Sequence, residues 1–139
     1  MGKSGRVNPL LDTHVLIWWV NGNNDRLSAS QKTILESAGP GNPLLISDIS
    51  LWEVAMLYSL GRVRLMIPLR DWLQKAAAPP LVRRIGISPA VAAEIDRFPE
   101  SFHRDPADRI IVATARVLGA TLLTQDRRIA DAGLVPTLA

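Results

Sequence analysis

Residues 7–20 read Val-Asn-Pro-Leu-Leu-Asp-Thr-His-Val-Leu-Ile-Trp-Trp-Val and decide the fold class. The β-like run at residues 7–12, with Pro9 near its start, predicts a strand, and residues 14–20 predict a helix directly after it. The rest of the chain repeats this alternation of short β-like and helix-like segments. Such a pattern favours an α/β protein with a central, mainly parallel sheet.

The remaining elements follow from periodicity and from capping residues. Further strands are predicted at residues 44–47, 81–87, 121–124 and, as an edge strand, 134–136. Further helices are predicted at residues 28–38, 49–60, 68–78, 88–98, 105–118 and 127–132. Because the chain has no internal repeat, low-complexity segment or long linker, residues 1–139 are expected to form a single domain.

The composition excludes several classes of protein. An apolar fraction of 47% argues against disorder. No uncharged apolar run approaches the roughly 18 residues that a membrane-spanning helix needs. The absence of cysteine excludes disulfides, thiolate metal sites and cysteine nucleophiles. The basic N-terminus leads into Pro9 and Asp12 and not into the apolar stretch of a secretory signal, so we expect a cytoplasmic protein with no membrane partner.

The basic residues favour an anionic partner. The chain has 16 lysines and arginines against 13 acids, a net charge of +3. Most of the cations are arginines, which suit phosphate and carboxylate. Candidate phosphate contacts are Arg62, Arg64, Arg83, Arg84, Arg127 and Arg128, with a solvated basic surface as the alternative for each. Arg109, next to Asp108, is expected to pair with an acid.

Two aspartates lie at the carboxyl ends of predicted strands. Asp12 closes the first strand, and Asp126 follows the strand at residues 121–124. Ligands of open α/β sheets bind beyond the carboxyl ends of the strands, so both residues are candidates for a site. Each could equally cap the helix that follows it. The histidines His14 and His103 are isolated in the sequence, with no metal-ligand spacing.

Glu53 is the least ordinary acid of the chain. On a helical wheel it falls inside an apolar stripe, and it is the only charged residue between Ile49 and Gly61. The stripe consists of Ile49, Trp52, Met56 and Leu60. A carboxylate on an apolar face is costly unless a cation compensates it. That cation is either part of a functional site or an arginine such as Arg62 or Arg64.

Asp105 and Asp108 flank the predicted start of a helix. Asp105 suits the N-cap position, with Pro106 in the first turn. Asp108 lies on the same face as Ile111, towards the edge of the core. One acid is therefore expected to cap the helix, which leaves the other free for chemistry.

These acids imply a cation if the fold gathers them. Two carboxylates about 5 Å apart repel by roughly 3 kcal/mol at an effective dielectric of about 20. Oxygen ligands without cysteine or paired histidine select hard ions such as Mg²⁺ or Mn²⁺. Such ions activate water and neutralise charge on phosphate esters. With the arginine-rich composition, the predicted substrate is a phosphodiester polymer.

Four segments of the chain, in this order, resemble the signature blocks of PIN-domain ribonucleases, in particular the VapC-type toxins of type II toxin–antitoxin systems. The segments are Leu-Leu-Asp-Thr-His at 10–14, Ser-Asp-Ile-Ser-Leu-Trp-Glu-Val-Ala at 47–55, His-Arg-Asp-Pro-Ala-Asp-Arg-Ile-Ile-Val-Ala-Thr-Ala at 103–115 and Leu-Leu-Thr-Gln-Asp at 122–126. Together they extend over nearly the whole chain.

The resemblance implies a Rossmann-like α/β/α sandwich that binds Mg²⁺ or Mn²⁺ and cleaves RNA. Its catalytic and metal-binding residues are Asp12, Glu53, Asp108 and Asp126. Asp105 has a supporting, capping role, and Thr124 is expected to hydrogen-bond to the fourth acid. The resemblance also implies a homodimer, or a larger assembly with a cognate antitoxin that blocks the active site. It does not assign the residues that bind the substrate.

Other features of the helices have two readings each. The predicted helix at residues 49–60 is apolar on most sides, so part of it is expected to meet an antitoxin or a second protomer. Trp52 is expected in the core. Trp18, Trp19, Trp52 and Trp72 could stack on bases, but helical tryptophans more often pack in a core or an interface.

Two alternatives to a ribonuclease remain open at this point. A catalytically silent RNA- or protein-binding module would share the fold, although the intact acids argue against it. A phosphatase or receiver-like domain would use Asp12 to form an aspartyl-phosphate. The absence of a second aspartate two residues after Asp12 and of a late lysine argues against that chemistry.

Overall fold

Strands and helices largely alternate along residues 8–139, the part of the chain that the computed structural model describes. The strands are β1 (Pro9–Leu11), β2 (Leu44–Ser47), β3 (Val82–Ile85), β4 (Thr121–Leu123) and β5 (Thr137–Leu138). The helices are α1 (Thr13–Asn21), α2 (Ala29–Glu36), α3 (Asp48–Ser59), α4 (Leu69–Ala76), α5 (Pro89–Glu94), α6 (Pro106–Leu118) and α7 (Arg127–Ala132). Short 3₁₀ turns lie at Asn24–Arg26 and Ile95–Arg97.

The strands form one sheet in the order β3-β2-β1-β4-β5. Every pair of neighbouring strands in it is parallel. The α/β class predicted from the sequence is confirmed. β3 and β5 are the edges of the sheet, and β3 presents the exposed residues Arg83 and Arg84 there, a common protection of an edge strand.

Helices cover both faces of the sheet, because successive strand residues point to opposite sides. One face packs under α5, α6 and α7 and includes Leu10, Leu45 and Leu122. The other face packs under α1, α2 and α4 and includes Leu11, Leu44, Ile46 and Leu123. Consecutive leucines in β1 and β4 therefore serve two separate cores, which confirms the predicted α/β/α sandwich.

Most element boundaries agree with the sequence prediction to within a few residues. The predicted edge strand at residues 134–136 is wrong in position, since β5 lies at Thr137–Leu138. The reason is that Leu134 and Val135 pack into the core as a loop, and pairing with β4 begins only at Thr137. The predicted helix at 88–98 is split into α5 and a 3₁₀ turn. Residue 7 of the first predicted strand lies outside the described residues.

Local capping explains where the helices begin and end. Ser28 caps α2 in a capping box with Gln31, whose side chain accepts from the Ser28 N–H. Gly119 ends α6 with φ at 63°, a conformation that favours glycine. Within residues 8–139, no helix has both the length and the hydropathy to span a membrane.

Candidate active site

The predicted acids lie at the point where the strand order reverses. From β1 the chain builds the sheet outward through β2 and β3 and then returns to place β4 on the other side of β1. Crevices at such reversals are the usual ligand sites of open α/β sheets. Asp12 follows β1 and Asp126 lies just beyond β4, and the Asp12 N–H donates to the Leu123 carbonyl at 3.0 Å.

A cavity of about 380 Å³ opens at this crevice. Its acidic lining residues are Asp12, Glu53, Asp105, Asp108 and Asp126. The remaining lining residues are His14, Val15, Trp18, Gln125 and Arg128. All five acids predicted from the sequence are thus brought together, although they come from segments more than a hundred residues apart.

Asp12 is held rigidly at the base of the cavity. It is 7% exposed, and its carboxylate accepts from the Thr13 N–H at 2.9 Å and from the Thr124 hydroxyl at 2.7 Å. Burial raises its pKa, and these hydrogen bonds oppose the shift. The two readings of Asp12, as a helix cap and as a site residue, are therefore compatible.

The predicted partner of Thr124 is corrected in part. Its hydroxyl accepts from the backbone N–H of Asp126 at 3.0 Å, but it donates to the carboxylate of Asp12 and not to that of Asp126. The reason is the parallel pairing of β1 with β4, which places the ends of the two strands side by side. Thr124 therefore connects the first acid to the fourth.

Glu53 contributes a buried carboxylate oxygen without a partner. Its Oε1 makes no hydrogen bond to any of residues 8–139, and neither Arg62 nor Arg64 pairs with it in that range. Burial raises the pKa of Glu53, the neighbouring Thr13 hydroxyl opposes the shift, and the nearby charges of Asp105 and Asp12 add to it. The alternative that Arg62 or Arg64 compensates Glu53 is therefore wrong, and no other arginine of the described residues pairs with it.

The helical wheel of α3 predicted the wrong buried face. Trp52 is 55% exposed, so its predicted place in the core is wrong. The helix instead buries Ser50 and Val54, and the Thr13 hydroxyl donates to the Ser50 hydroxyl at 2.9 Å. The smaller side chains let α3 pack closely against α1, which leaves part of the apolar stripe in solvent.

Asp108 is paired with a histidine that sequence analysis treated as isolated. His103 Nε2 lies 2.8 Å from Asp108 Oδ2 across the turn before α6. Burial raises the pKa of Asp108 to about 6, with the other acids adding to the shift and the hydrogen bond to His103 opposing it. The sequence signal that could have predicted this pair is the five-residue separation of His103 and Asp108. A turn before the N-terminus of the helix can bring two side chains at that separation together.

Asp105 and Asp126 both cap helices. Asp105 accepts from the Asp108 N–H at 3.0 Å, as predicted. Asp126 accepts from the Arg128 N–H at 2.9 Å and from the Arg128 guanidinium at 3.0 Å. Burial alone would raise the pKa of Asp126, but the hydrogen bonds and charge of Arg128 outweigh it and lower the pKa.

Three arginines have partners other than those expected. Arg84 was a candidate phosphate contact, but its guanidinium pairs with the Asp48 carboxylate at 2.8 Å. Arg128 was a candidate phosphate contact, but it binds Asp126, and its guanidinium also lies 3.8 Å from Asp108. Arg109 was expected to pair with an acid; it donates to the carbonyls of Phe102 and His103 at 3.2 and 3.1 Å. Arg109 thereby holds the turn that carries His103.

Comparison with known proteins identifies the family. Residues 10–134 match the PIN domain. The chain belongs to the PIN domain family. It is 43% identical over 120 residues to Ribonuclease VapC22 of Mycobacterium tuberculosis, which covers 86% of this chain and 88% of that protein. The predicted resemblance to PIN-domain and VapC-type proteins is therefore confirmed.

Solved structures share the PIN fold at low sequence identity. VapBC2 from Rickettsia felis, bound to a DNA fragment from its promoter, aligns with a TM-score of 0.68 at 16% identity over 94% of this chain and 96% of that chain. FitAcB from Neisseria gonorrhoeae aligns with a TM-score of 0.66 at 21% identity, with the same coverage. At these identities the likeness shows the fold alone.

The acidic cavity of this PIN domain has the donor chemistry of a hard-cation site. Its oxygens come from carboxylates, three of which have raised pKa values, and one buried oxygen is unpartnered. Within residues 8–139, no group of three or more acidic or histidine side chains is already arranged to hold an ion directly. Mg²⁺ commonly keeps several waters and takes one or two carboxylates from the protein, so the donor set fits it.

Proposed function

We propose that this PIN domain is a Mg²⁺- or Mn²⁺-dependent endoribonuclease and the toxin of a type II toxin–antitoxin pair in the cytoplasm. The observation that carries the proposal is the convergence of Asp12, Glu53, Asp108 and Asp126 on one cavity, with the Glu53 oxygen left unpartnered. The 43% identity to a protein named as a ribonuclease supports RNA as the substrate.

The four acids would hold the ion, one or two of them directly and the others through its bound waters. When bound, the ion would activate a water molecule and neutralise charge on the scissile phosphate. Thr124 orients the Asp12 carboxylate through its 2.7 Å hydrogen bond, and His103 orients Asp108. Asp105 supports the arrangement by capping α6 and so fixing the backbone at Asp108.

An exposed apolar surface on α3 and the loop after it supports a protein partner. The exposed apolar side chains there are Trp52, Tyr58, Leu60, Met66 and Ile67. Apolar patches of this kind often mark protein interfaces. We propose that it contacts the cognate antitoxin or a second protomer. The homodimer, the larger assembly with antitoxin and the single domain over residues 1–139 stay predictions.

Removal of single carboxylates tests the nuclease. We expect Asp12→Asn and Asp108→Asn each to reduce cleavage of a mixed RNA panel by at least about 100-fold, because each removes charge that the ion requires. Cleavage by the wild-type protein in Mn²⁺ or Mg²⁺ is measured by sequencing the RNA ends, and EDTA should abolish it. Induction of the wild-type protein should inhibit growth, and induction of either variant should not.

Asp131→Asn is the matched control. Asp131 is exposed on α7, the helix that Asp126 caps, so its loss should leave cleavage and growth inhibition unchanged. Full toxicity in Asp12→Asn would contradict the assignment of the acids. Failure of the wild-type protein to cleave any RNA in Mn²⁺ would favour a catalytically silent binding module.

A further inference from the structure

One wall of the acidic cavity is aromatic. His14, Val15 and Trp18 lie on one face of α1 and all line the cavity. The Trp18 ring is half-buried and lies 6.0 Å from the His14 ring, centroid to centroid. Trp19, the next residue, is also partly buried but lines a different groove, with Pro79 and Pro80.

Two polar residues hold this wall in place. The Arg26 guanidinium carbon lies over the Trp18 ring, 5.1 Å from its centroid, and so covers one of the two ring faces. The Gln125 amide nitrogen donates to the Arg26 carbonyl at 2.9 Å and to the Gln31 side chain at 2.8 Å. Since Gln31 is fully buried, the wall is anchored to the core.

The exposure of Trp18 matches the requirements of a base-stacking residue. A tryptophan that only filled the core would be enclosed, but part of Trp18 remains open beside the carboxylates. Aromatic faces bind unpaired bases of any sequence by stacking, and a nearby arginine adds charge for the nucleic-acid backbone. The amide of Gln125 uses both of its N–H groups within the protein, which leaves its carbonyl oxygen as an acceptor.

We propose that Trp18, covered on one ring face by Arg26 and flanked by His14 and Gln125, offers its other face as a stacking subsite for one unpaired RNA base adjacent to the scissile phosphate. The proposal rests on the proposed ribonuclease function for the identity of the substrate. It makes Trp18 a substrate-binding residue that accepts any base, and it requires the substrate to be single-stranded at that nucleotide.

Oligonucleotide binding without divalent ions tests the subsite separately from cleavage. Unstructured eight-nucleotide RNAs are titrated into the full chain in EDTA, and affinity is measured by fluorescence anisotropy. We expect Trp18→Leu to weaken binding about 5- to 100-fold, the range for the loss of one base stack, and Trp18→Phe to restore much of it. Trp19→Leu, the matched control, should bind as the wild type does.

An abasic nucleotide identifies the stacked base. Placing it at successive positions should weaken wild-type binding most at one position, and Trp18→Leu should be insensitive to it there. RNA should quench the tryptophan fluorescence of Trp19→Phe, which retains Trp18. It should quench the fluorescence of Trp18→Phe much less, because that variant lacks the tryptophan proposed to stack on the base. Urea denaturation of each variant checks that the fold is intact.

The outcomes separate the two proposals. Equal weakening by Trp18→Leu and Trp19→Leu, or unchanged affinity in Trp18→Leu, would overturn the subsite even if the protein cleaves RNA. Position-specific loss in Trp18→Leu would support the subsite even if no cleavage is found, in which case the nuclease proposal alone fails. For a cleaving protein, Trp18→Leu should raise KM more than it lowers kcat.

Discussion

At the residue scale, the acids around the cavity differ because their neighbours differ. Arg128 lowers the pKa of Asp126 and keeps that carboxylate ionised, whereas burial raises the pKa of Asp12, Glu53 and Asp108. The last three destabilise the folded protein when they are charged and uncompensated. A divalent cation would remove this cost, because it neutralises the repulsion between the carboxylates. The free energy recovered in this way would add to the affinity of the site for the cation.

The stability of Asp108→Asn in EDTA tests this account. The pKa of Asp108 is about 6 in the folded protein against an ordinary 3.8, so the folded state holds the proton more tightly than the unfolded chain. Its contribution to the free energy of unfolding therefore falls as pH rises through this interval and stays low above it. At pH 7.5 we expect Asp108→Asn to be more stable than the wild type by about 1–3 kcal/mol in urea denaturation.

The pH dependence supplies the control. The advantage of Asp108→Asn should shrink below pH 6 and disappear only well below pH 3.8, where the wild-type carboxyl is protonated in both the folded and the unfolded state. Asp131→Asn should stay within about 0.5 kcal/mol of the wild type throughout. A variant that is less stable than the wild type at pH 7.5 would show that the bond to His103 outweighs the cost of burial.

At the element scale, the two acids at the N-terminus of α6, Asp105 and Asp108, have different roles. Asp105 accepts from the Asp108 N–H, while the Asp108 side chain turns towards the cavity and His103. Pro106 occupies the first turn, where a missing N–H costs nothing. The sequence motif predicted that one acid caps the helix and that the other is free. The structure confirms that Asp105 is the cap and that Asp108 faces the cavity.

Two substitutions at Asp105 distinguish a cap from a ligand. Asparagine retains the capping oxygen, so Asp105→Asn should keep both stability and most of the cleavage activity. Asp105→Ala loses the cap and should cost about 1 kcal/mol in the free energy of unfolding. If Asp105→Asn instead abolished cleavage at unchanged stability, Asp105 would join the four acids that we propose bind the ion.

At the scale of the whole molecule, the site exists because of the strand order. Asp12 and Asp126 follow neighbouring strands that are separated by most of the sequence, and α3 and α6 bring Glu53 and Asp108 to the same edge. Binding of an ion there should stabilise the entire fold, since the unfolded chain has no such site.

Thermal unfolding with and without divalent ions measures this coupling. We expect Mn²⁺ at about 100 times its dissociation constant to add about 2.7 kcal/mol to the free energy of unfolding and so to raise Tm, with EDTA reversing the effect. Asp12→Asn should show a much smaller increase. Equal stabilisation of the wild type and Asp12→Asn would place the ion elsewhere on the molecule.

The sequence by itself determined the α/β class, nearly all of the elements and the five acids of the cavity. These follow from local rules: residue alternation, helix caps such as Ser28 and Asp105, and acids at strand ends. Such signals are contained within a few neighbouring residues, and a single chain is enough to read them.

Only the tertiary structure decided which side chains meet. In the folded chain Trp52 is exposed and His103 pairs with Asp108. The Thr124 hydroxyl donates to the Asp12 carboxylate, and the Arg128 guanidinium donates to the Asp126 carboxylate. The physical reason is that these outcomes depend on which helix face meets which neighbour and on which strands lie side by side. Hydrophobicity along α3 favoured the large apolar residues, but close packing against α1 buried the small ones.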